Sequence, residues 1–365
     1  MIRLLLVDDS PLMRRLLTEM FEDAGDFEIE VARNGVEALE KLEEFRPDVI
    51  TLDVHMPDMD GLAVLDQIMV QRPCPVVMVS SLTADGADET LEAMALGAVD
   101  FVSKPRGAVS LEIDAVADTL IEKVRSAAAV RMSRVTRLRE RVQAKAKSAV
   151  RPAKPRAAAP KSATRPDAVK PLPAGSHVVL VGCSTGGPPA LDALLGALPA
   201  DFPWPIVIAQ HMPASFTAPL ARRLDRLCAL SVREVDVATA LSPGTAYIGK
   251  GDADVVLSRR GGQTVVMPAP SSPDHLWHPS VDRLVDSALK YLAPESLIGV
   301  LMTGMGADGA NAMTELKRRG GHTIAESAAT AVVWGMPGAL VAGGGASSVQ
   351  PLDDIAGELL SLAGR

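Results

Sequence analysis

The chain has 365 residues, enough for two domains of ordinary size, and a net charge of −8 at pH 7. Aromatic residues make up only 3%, which argues against nucleic-acid-binding modules that stack bases on aromatic rings. Three cysteines do not make a disulfide framework, no apolar run is long enough to span a bilayer, and the short N-terminal apolar run ends in two aspartates rather than in a signal-peptide pattern. We therefore expect a cytoplasmic protein.

Residues 1–121 alternate apolar runs with helical patterns. The predicted strands lie in LLLVDD, EIEVARN, DVITLD, PVVMVS and DFVSKP. This alternation predicts an α/β domain with a doubly wound parallel sheet, in which ligands bind beyond the carboxyl ends of the strands.

Polar side chains stand at four of these strand ends: Asp8 and Asp9, Asp53, Ser80, and Lys104. Three carboxylates on one edge repel each other unless a cation is present, and oxygen ligands of this kind suit Mg²⁺. Lys104 can neutralise a phosphoryl oxygen, Ser80 can hydrogen-bond one, and Asp53 can act as a nucleophile toward phosphorus. The alternative is that the acids merely cap the following helices, which would explain one acid but not the whole set.

The same segment contains LLLVDDSPLMRRLL, TLDVHMPDMDG, VMVSSLT and GAVDFVSKP. These motifs closely resemble the flavodoxin-like receiver domain of bacterial response regulators, and the resemblance covers all 121 residues. It implies that a histidine kinase phosphorylates Asp53, with Mg²⁺ held by Asp8, Asp9 and Asp53. It also implies a set of residues that respond to the phosphoryl group, namely Ser80, Phe101 and Lys104.

Residues 122–175 differ in composition from the rest of the chain. Between Arg131 and Pro171 there are 13 Lys/Arg and 2 Asp/Glu, a local charge of +11 that leaves −19 for the remaining residues. Large apolar side chains are almost absent after Val150, so the segment cannot bury enough surface to order itself. We expect a helical extension over roughly 123–148 and then a disordered basic linker. A solvated spacer is favoured over a nucleic-acid or membrane-surface role.

Residues 176–365 predict a second doubly wound α/β domain. A β-hairpin insertion is predicted near 246–267. The predicted strands lie in HVVLVG, WPIVIAQ, GTAYIG, DVVLSRR, QTVVMP, SLIGVLMTG and HTIAES.

The turn VGCSTGGPP follows the first of these strands and satisfies G-x-S-x-G, the pattern of a nucleophile elbow. It would expose Ser184 at the strand end, with the N–H groups of Thr185 and Gly186 able to face an oxyanion. A phosphate-binding loop is the alternative, but the turn has no lysine and its two prolines lack N–H donors. Cys183 is a rival nucleophile, although we expect it to face the core because neighbouring strand residues point to opposite faces.

A catalytic serine needs a base, and His211 ends the next strand in IVIAQHMP. It should share a sheet edge with Ser184, whereas the alternative is an ordinary surface histidine. His275 and His278 lie in SSPDHLWHPSVD, where a D-H-x-x-H metal site is conceivable but lacks a further ligand cluster.

The acid that orients the base should follow a third strand, and Asp308 stands in the turn of SLIGVLMTGMGADGANAM before a helix. The positive end of that helix would keep the carboxylate ionised, as an acid that orients imidazole and stabilises its cation must be. The order serine, histidine, aspartate differs from that of α/β-hydrolases, so the elbow does not imply that fold.

The same turn offers a competing interpretation. Gly304–Gly309 match G-x-G-x-x-G between a strand and a helix, and Glu326 stands where a ribose-binding acid belongs. This pattern is typical of nicotinamide-dependent enzymes. Charge argues against it, because Asp308 would repel a pyrophosphate at the helix start, and Ser184 and His211 would have no task.

The motifs GCSTGGPPAL, IVIAQHMP, HPSVD and LMTGMGADGA resemble the catalytic domain of chemotaxis methylesterases of the CheB family. With the receiver, the resemblance covers nearly all of the chain outside the linker. It implies a protein-glutamate methylesterase and protein-glutamine glutaminase, with Ser184 as nucleophile, His211 as base, Asp308 as orienting acid and no cofactor for the ester reaction. The linker looks longer and more basic than the family leads us to expect, which leaves the receptor-docking contacts open.

The resemblance also implies partners and a role. The substrate would be the cytoplasmic helices of methyl-accepting chemoreceptors, and the phosphodonor a chemotaxis histidine kinase. The activity would give adaptation in chemotaxis or a related chemosensory pathway, without nucleic-acid binding or membrane insertion. The competing class is a DNA-binding response regulator, but the C-terminal domain has no helix-turn-helix pattern and is acidic.

Overall fold

The computed structural model describes residues 1–80, 84–104, 110–130, 132 and 176–364. The chain forms two compact units, Met1–Arg139 and Glu140–Arg365. The helical extension predicted at 123–148 is helical up to residue 128, where the helix that begins at 110 ends. Residues 133–175, which hold the rest of the extension and the basic linker, lie outside the described residues. Within the described residues, none of the helices combines the length and the apolar character needed to cross a membrane.

The first unit alternates strands and helices as predicted. Its elements are β1 (Ile2–Val7), α1 (Pro11–Ala24), β2 (Phe27–Ala32), α2 (Gly35–Phe45), β3 (Val49–Asp53), α3 (Gly61–Gln71), β4 (Val76–Ser80), α4 (Ala84–Leu96), β5 (Asp100–Ser103) and α5 (Ser110–Ala128). The five strands are parallel and lie in the order β2-β1-β3-β4-β5. The predicted doubly wound receiver fold is confirmed, and its strand order is the flavodoxin-like one.

Three helices of this unit begin at caps other than the strand-end acids. Ser10, Asn34 and Asp60 are the N-caps of α1, α2 and α3, and each side chain accepts a backbone N–H from the first turn of its helix. Asp53 and Asp8 therefore do not serve as caps for these helices. This finding removes the capping alternative for the two buried acids.

The second unit is larger. Its elements are β6 (Val178–Cys183), α6 (Gly187–Leu195), β7 (Ile206–Gln210), α7 (Ala214–Leu227), β8 (Ser231–Val235), β9 (Thr239–Ala240), β10 (Thr245–Gly249), β11 (Ala253–Arg260), β12 (Gln263–Pro270), α8 (Val281–Tyr291), a 3₁₀ turn (Pro294–Ser296), β13 (Leu297–Leu301), α9 (Ala310–Arg318), β14 (His322–Glu326), α10 (Met336–Ala342), β15 (Ser348–Gln350) and α11 (Leu352–Leu362).

Seven strands of this unit form one parallel sheet in the order β15-β14-β13-β6-β7-β10-β8. The chain moves from β6 to β7 on one side and later returns to place β13 on the other side of β6. The strand order therefore reverses at β6, and ligands of open parallel sheets bind at such a point, beyond the carboxyl ends of the strands. The predicted α/β architecture is confirmed.

A separate three-stranded antiparallel sheet has the order β11-β12-β9. Its hairpin covers 253–270, so the predicted hairpin near 246–267 is partly wrong, because 245–249 form β10 inside the parallel sheet. The apolar side chains of β11 and β12 share a buried core with those of α8; members of that core include Val255, Leu257, Val266, Leu284 and Ala288. Alternating apolar residues put one face of the hairpin against the helix. This packing positions the start of α8, which enters the site described next.

Candidate active site and phosphorylation site

Ser184 follows β6 directly, at the carboxyl edge of the parallel sheet. It is 9% exposed, and the chain turns sharply into α6 after it. Gly186 has φ +76, a left-handed conformation that side chains rarely adopt, and a Cβ on it would collide with Val332. The glycines of the turn thus permit both its conformation and its close packing.

The serine turn is held by hydrogen bonds from neighbouring strands. The N–H of Ser184 donates to the carbonyl of Thr303 at 2.9 Å, and the side-chain amide of Gln210 donates to the carbonyl of Ser184 at 3.1 Å. Gly304 lies against the serine, since a Cβ built on it would be 2.8 Å from the Cβ of Ser184. Ser184 is therefore fixed from both neighbouring strands, β13 and β7.

Cys183, the rival nucleophile, is fully buried. Its Sγ donates to Oε1 of Gln210 at 3.1 Å, and burial raises the pKa of its thiol far above the ordinary value. A thiol without access to solvent and without a tendency to ionise is a poor nucleophile. The expectation that Cys183 faces the core is confirmed.

His211 lies at the same edge as Ser184, as predicted. Strands β6 and β7 are parallel neighbours in which Cys183 pairs with Gln210, and the N–H of His211 donates to the carbonyl of Cys183 at 3.1 Å. Ser184 and His211 are thus the next residues along two adjacent strands. His211 is 8% exposed, which makes it a buried residue of the strand edge rather than a surface histidine.

The imidazole of His211 contacts Asp308. Its Nε2 lies 2.8 Å from Oδ2 of Asp308, whereas Nδ1 is buried and has no hydrogen-bond partner among the described residues. An ionised carboxylate can only accept, so Nε2 carries the proton and Nδ1 keeps its lone pair. The nitrogen that can act as a base is Nδ1. The triad of serine proteases uses the two ring nitrogens in the opposite order.

The carboxylate of Asp308 is held by the start of α8. It accepts the N–H groups of Val281 at 2.7 Å and Asp282 at 3.1 Å, and the hydroxyl of Ser280 at 3.0 Å. Burial alone would raise the pKa of Asp308, but the hydrogen bond from His211 and these N–H donors outweigh it and bring the pKa below the ordinary value. The helix expected from the sequence to provide this stabilisation was α9, which follows Asp308; the helix that provides it is α8.

The proposed oxyanion donors adjoin the nucleophile. Thr185 is buried, and its carbonyl accepts the hydroxyl of Thr303 at 2.8 Å, which fixes the peptide that joins Thr185 to Gly186. The N–H of that peptide belongs to Gly186 and has no acceptor among the described residues. The arrangement fits an N–H donor kept available for an oxyanion, and the assignment of Thr185 and Gly186 stays a prediction.

The dinucleotide interpretation fails on the position of Glu326. Glu326 is 1% exposed, and its Oε2 accepts the N–H of Thr303 at 2.8 Å under the end of β13. A carboxylate buried in this way cannot bind a ribose. The glycine turn instead presents Asp308 to His211.

The proposed D-H-x-x-H metal site also fails among the described residues, where the group of acids that could hold a metal lies in the first unit. Nδ1 of His278 lies 2.9 Å from Oδ1 of the fully buried Asp254. This pair anchors the loop between β12 and α8.

Ser280 and the N-terminus of α8 belong to the site but were not predicted from the sequence, although the motif HPSVD contains a serine N-cap signal.

The three acids of the first unit come together as predicted. Oxygens of Asp8, Asp9 and Asp53 all lie within 4.8 Å of one another, with Asp8 and Asp53 buried and Asp9 exposed. Such a set of carboxylate oxygens, open on one side to solvent, fits Mg²⁺ with part of its water shell.

Lys104 pairs with two of these acids. Its Nζ lies 2.7 Å from Oδ2 of Asp53 and 2.9 Å from Oδ2 of Asp8. Burial raises the pKa of Asp53; Lys104 lowers it in part, while Asp8 raises it further, so the pKa lies above the ordinary value. Burial lowers the pKa of Lys104, but its two carboxylate partners outweigh burial and raise it. The lysine therefore stays charged at the site where a phosphoryl group would arrive.

Ser80 and Phe101 are both turned inward in this structure. Ser80 is fully buried and its hydroxyl donates to the carbonyl of Gly86 at 3.3 Å. Phe101 is 3% exposed, and the ammonium of Lys123 lies 5.3 Å from its ring centroid. Their predicted roles as phosphate-responsive residues remain predictions.

Comparisons with known families match both units. The sequence model described as CheB methylesterase matches residues 179–359, and the one described as response regulator receiver domain matches residues 4–114. The chain is similar to proteins named "Protein-glutamate methylesterase/protein-glutamine glutaminase". It is 53% identical to the protein of this name numbered 2 from Rhodopseudomonas palustris, over 99% of this chain and 98% of that protein. It is 54% identical to number 3 of Rhodospirillum rubrum over 98% of this chain and 95% of that protein.

A solved structure supports the fold of the second unit. The catalytic domain of the CheB methylesterase from Thermotoga maritima is 38% identical and superposes with a TM-score of 0.50. The match covers 51% of this chain and 98% of that domain.

Proposed function

Because the chain belongs to the protein-glutamate methylesterase/protein-glutamine glutaminase family, we propose that it hydrolyses glutamyl γ-methyl esters and deamidates glutamines on the cytoplasmic helices of methyl-accepting chemoreceptors. Phosphorylation of the receiver regulates this activity, which gives adaptation in chemotaxis or a related chemosensory pathway. The three cysteines are free thiols, which fits a cytoplasmic location.

One observation carries the proposal. Nε2 of His211 is bound to Asp308 at 2.8 Å, while Nδ1, which has no hydrogen-bond partner among the described residues, belongs to a residue adjacent to Ser184 across β6 and β7. This geometry supports Ser184 as the nucleophile, His211 as the base and Asp308 as the acid that fixes the tautomer. These are the parts that acyl transfer through serine requires.

In the first half of the reaction, Oγ of Ser184 attacks the γ-carbonyl carbon of the substrate, and its proton passes to Nδ1 of His211. Asp308 stabilises the imidazolium that forms. When the tetrahedral intermediate collapses, the bond to the methoxy group breaks, and methanol leaves with the proton from Nδ1. For a glutamine side chain, ammonia leaves by the same route.

In the second half, Nδ1 takes a proton from a water molecule that attacks the acyl-enzyme. The bond from the carbonyl carbon to Oγ breaks, the proton returns to Ser184, and a glutamate side chain is released. Each half of the reaction passes through a tetrahedral intermediate that carries an oxyanion, for which the backbone N–H groups of Thr185 and Gly186 are the proposed donors.

In the receiver, Asp53 is the proposed acceptor of a phosphoryl group from a chemotaxis histidine kinase. Asp8, Asp9 and Asp53 would hold Mg²⁺, which supplies positive charge to the phosphoryl oxygens. Lys104 would bind one of these oxygens, Ser80 would be drawn toward the phosphoryl group, and Phe101 would reorient. The proximity of the three acids and Lys104 supports this part of the proposal.

The test is methanol release from methylated receptor. Ser184→Ala should lower kcat by about 10⁴–10⁶, the usual effect of losing a triad nucleophile. Cys183→Ala is the matched control, because it removes the neighbouring thiol, and it should retain activity. Near-normal methanol release by Ser184→Ala would overturn the proposal. A phosphodonor should increase the rate of the wild-type chain and have no effect on Asp53→Asn.

A further inference from the structure

The indole ring of Trp277 lies against the imidazole of His211. The ring centroids are 5.8 Å apart and the planes differ by 13°, so the two rings are stacked. This separation lies within the range of favourable aromatic pairs. We propose that Trp277 is a positioning residue that sets the plane of the His211 ring and stabilises its protonated form. The inference rests on the proposed role of His211 as the base.

The hydrogen bond to Asp308 does not by itself set the plane of the ring. It restrains one atom, Nε2, which lies close to the axis of the bond between Cβ and the ring. A moderate turn about that bond therefore moves Nε2 little and Nδ1 more, and this torsion has no sharp preference in histidine. Such a turn would move Nδ1 away from Ser184. A flat partner on one face of the ring opposes the turn, and Trp277 provides that partner.

The loop that carries Trp277 is anchored on both sides by one buried carboxylate. Asp254 on β11 is fully buried and accepts the N–H of Ser272 at 3.2 Å and that of Ser280 at 2.7 Å. It also pairs with Nδ1 of His278 at 2.9 Å and with the guanidinium of Arg283. Trp277 is therefore presented from a fixed loop, although it is only half-buried.

The stacked indole also stabilises positive charge on the imidazole of His211. When His211 takes the serine proton, its ring becomes a cation whose centre lies 5.8 Å from the indole centroid, within the distance at which aromatic faces attract cations. Of the charged side chains, Asp308 contacts the edge of this ring through Nε2, and Asp282 interacts electrostatically with Asp308. Trp277 thus adds to Asp308 by stabilising the same cation from its face.

The test compares Trp277→Leu, which removes the aromatic face, with Trp277→Phe, which keeps one. We expect Trp277→Leu to lower kcat about 3- to 30-fold with KM nearly unchanged, since a cation on an aromatic face gains roughly that factor. The acid limb of the kcat/KM profile should move to lower pH by about 0.5 unit, because the protonated ring has lost a stabilising partner. Trp277→Phe should keep most of the wild-type kcat and an acid limb close to that of wild type.

Trp204→Phe is the matched control. Its indole contacts a different histidine, His177, at 4.7 Å and 42°, at the start of β6 and away from the serine edge. It should leave kcat and the pH profile unchanged. The inference is wrong if Trp277→Leu keeps the wild-type kcat and acid limb, or if Trp277→Phe is as impaired as Trp277→Leu.

A spectroscopic readout separates the stack from the chemistry. Protonated imidazole quenches the fluorescence of an indole that it contacts. The emission of Trp277, measured as the difference between wild type and Trp277→Phe, should therefore fall as the pH is lowered and His211 gains a proton. His211→Gln should remove this pH dependence; if the dependence persists, the stack is overturned whatever the activity. If His211→Gln loses the dependence and keeps full esterase activity, the assignment of the base fails, and with it the role of Trp277.

Discussion

Asp308 and Asp282 stabilise each other's helices. Asp308, in the turn before α9, accepts the N–H groups at the start of α8, and Asp282, in the first turn of α8, accepts the N–H of Ala312 at the start of α9 at 2.9 Å. Each carboxylate thus lies at the positive end of the other's helix. These reciprocal hydrogen bonds hold the two helix starts together, and Oδ2 of Asp308 also contacts His211.

Asp308→Asn should lower kcat by about 10⁴, because the new amide can donate to Nε2 of His211 and force the proton onto Nδ1, where the lone pair is needed. The amide oxygen can still accept N–H groups of α8, so the fold should persist. Methanol release from methylated receptor measures the effect. Asp282→Asn is the control, since it alters a helix cap without contacting His211. An equal loss in both variants would assign the effect to helix capping rather than to the imidazole.

Acid should weaken the second unit partly through Asp308. Its pKa is lowered by folding, so its contribution to the free energy of unfolding is complete above the unfolded value of about 3.9 and is lost as the pH falls through the lower folded value. The stability difference between wild type and Asp308→Asn should shrink as the pH falls below about 4. Urea unfolding followed by tryptophan fluorescence measures it, because all three tryptophans lie in the second unit. A difference that grows as the pH falls would contradict the pKa direction.

Gly304→Ala should impair catalysis through Ser184. The added Cβ would collide with Sδ of Met336 and lie 2.8 Å from the Cβ of Ser184, so the serine turn must shift. A displacement of about 1 Å in a reacting group costs on the order of 10²-fold in rate, and we expect a loss of this size in kcat.

Gly357→Ala is the control for Gly304→Ala: no atom lies within 4 Å of its new Cβ, and it lies inside α11. It should retain full activity and gain about 0.5–1 kcal/mol of stability. Normal kcat in Gly304→Ala would show that the serine turn tolerates the added atom.

Phosphorylation of the receiver should require Mg²⁺ and should vanish in Asp53→Asn. Asp8, Asp9 and Asp53 lie too close together to accept a phosphoryl group without a cation besides Lys104. Incorporation of radiolabel from a small phosphodonor measures it, with and without chelator. Asp23→Asn, at an exposed position of α1, removes one negative charge away from the site and should be labelled normally. Undiminished labelling in excess chelator would disprove the metal requirement.

The sequence was sufficient to predict which side chains meet at each strand edge. Ser184, His211 and Asp308 each follow an apolar strand, as do Asp8 and Asp53 in the receiver. The carboxyl ends of parallel strands lie on one edge whatever their order, so a polar residue in the turn that follows each apolar run can be assigned to that edge from the pattern alone. The prediction of a hairpin near 246–267 was partly wrong, because an apolar run indicates that a strand forms but not which sheet the strand joins.

Only the tertiary structure decided how these side chains act on one another. It determined that Nε2 rather than Nδ1 of His211 contacts Asp308, that α8 rather than α9 holds that acid, and that Trp277 covers the imidazole. Each of these contacts joins segments far apart in the chain and depends on a side-chain torsion or a loop path. A residue's neighbours in sequence constrain its backbone and its burial, whereas the direction of a ring nitrogen is set by the packing of segments brought together on folding.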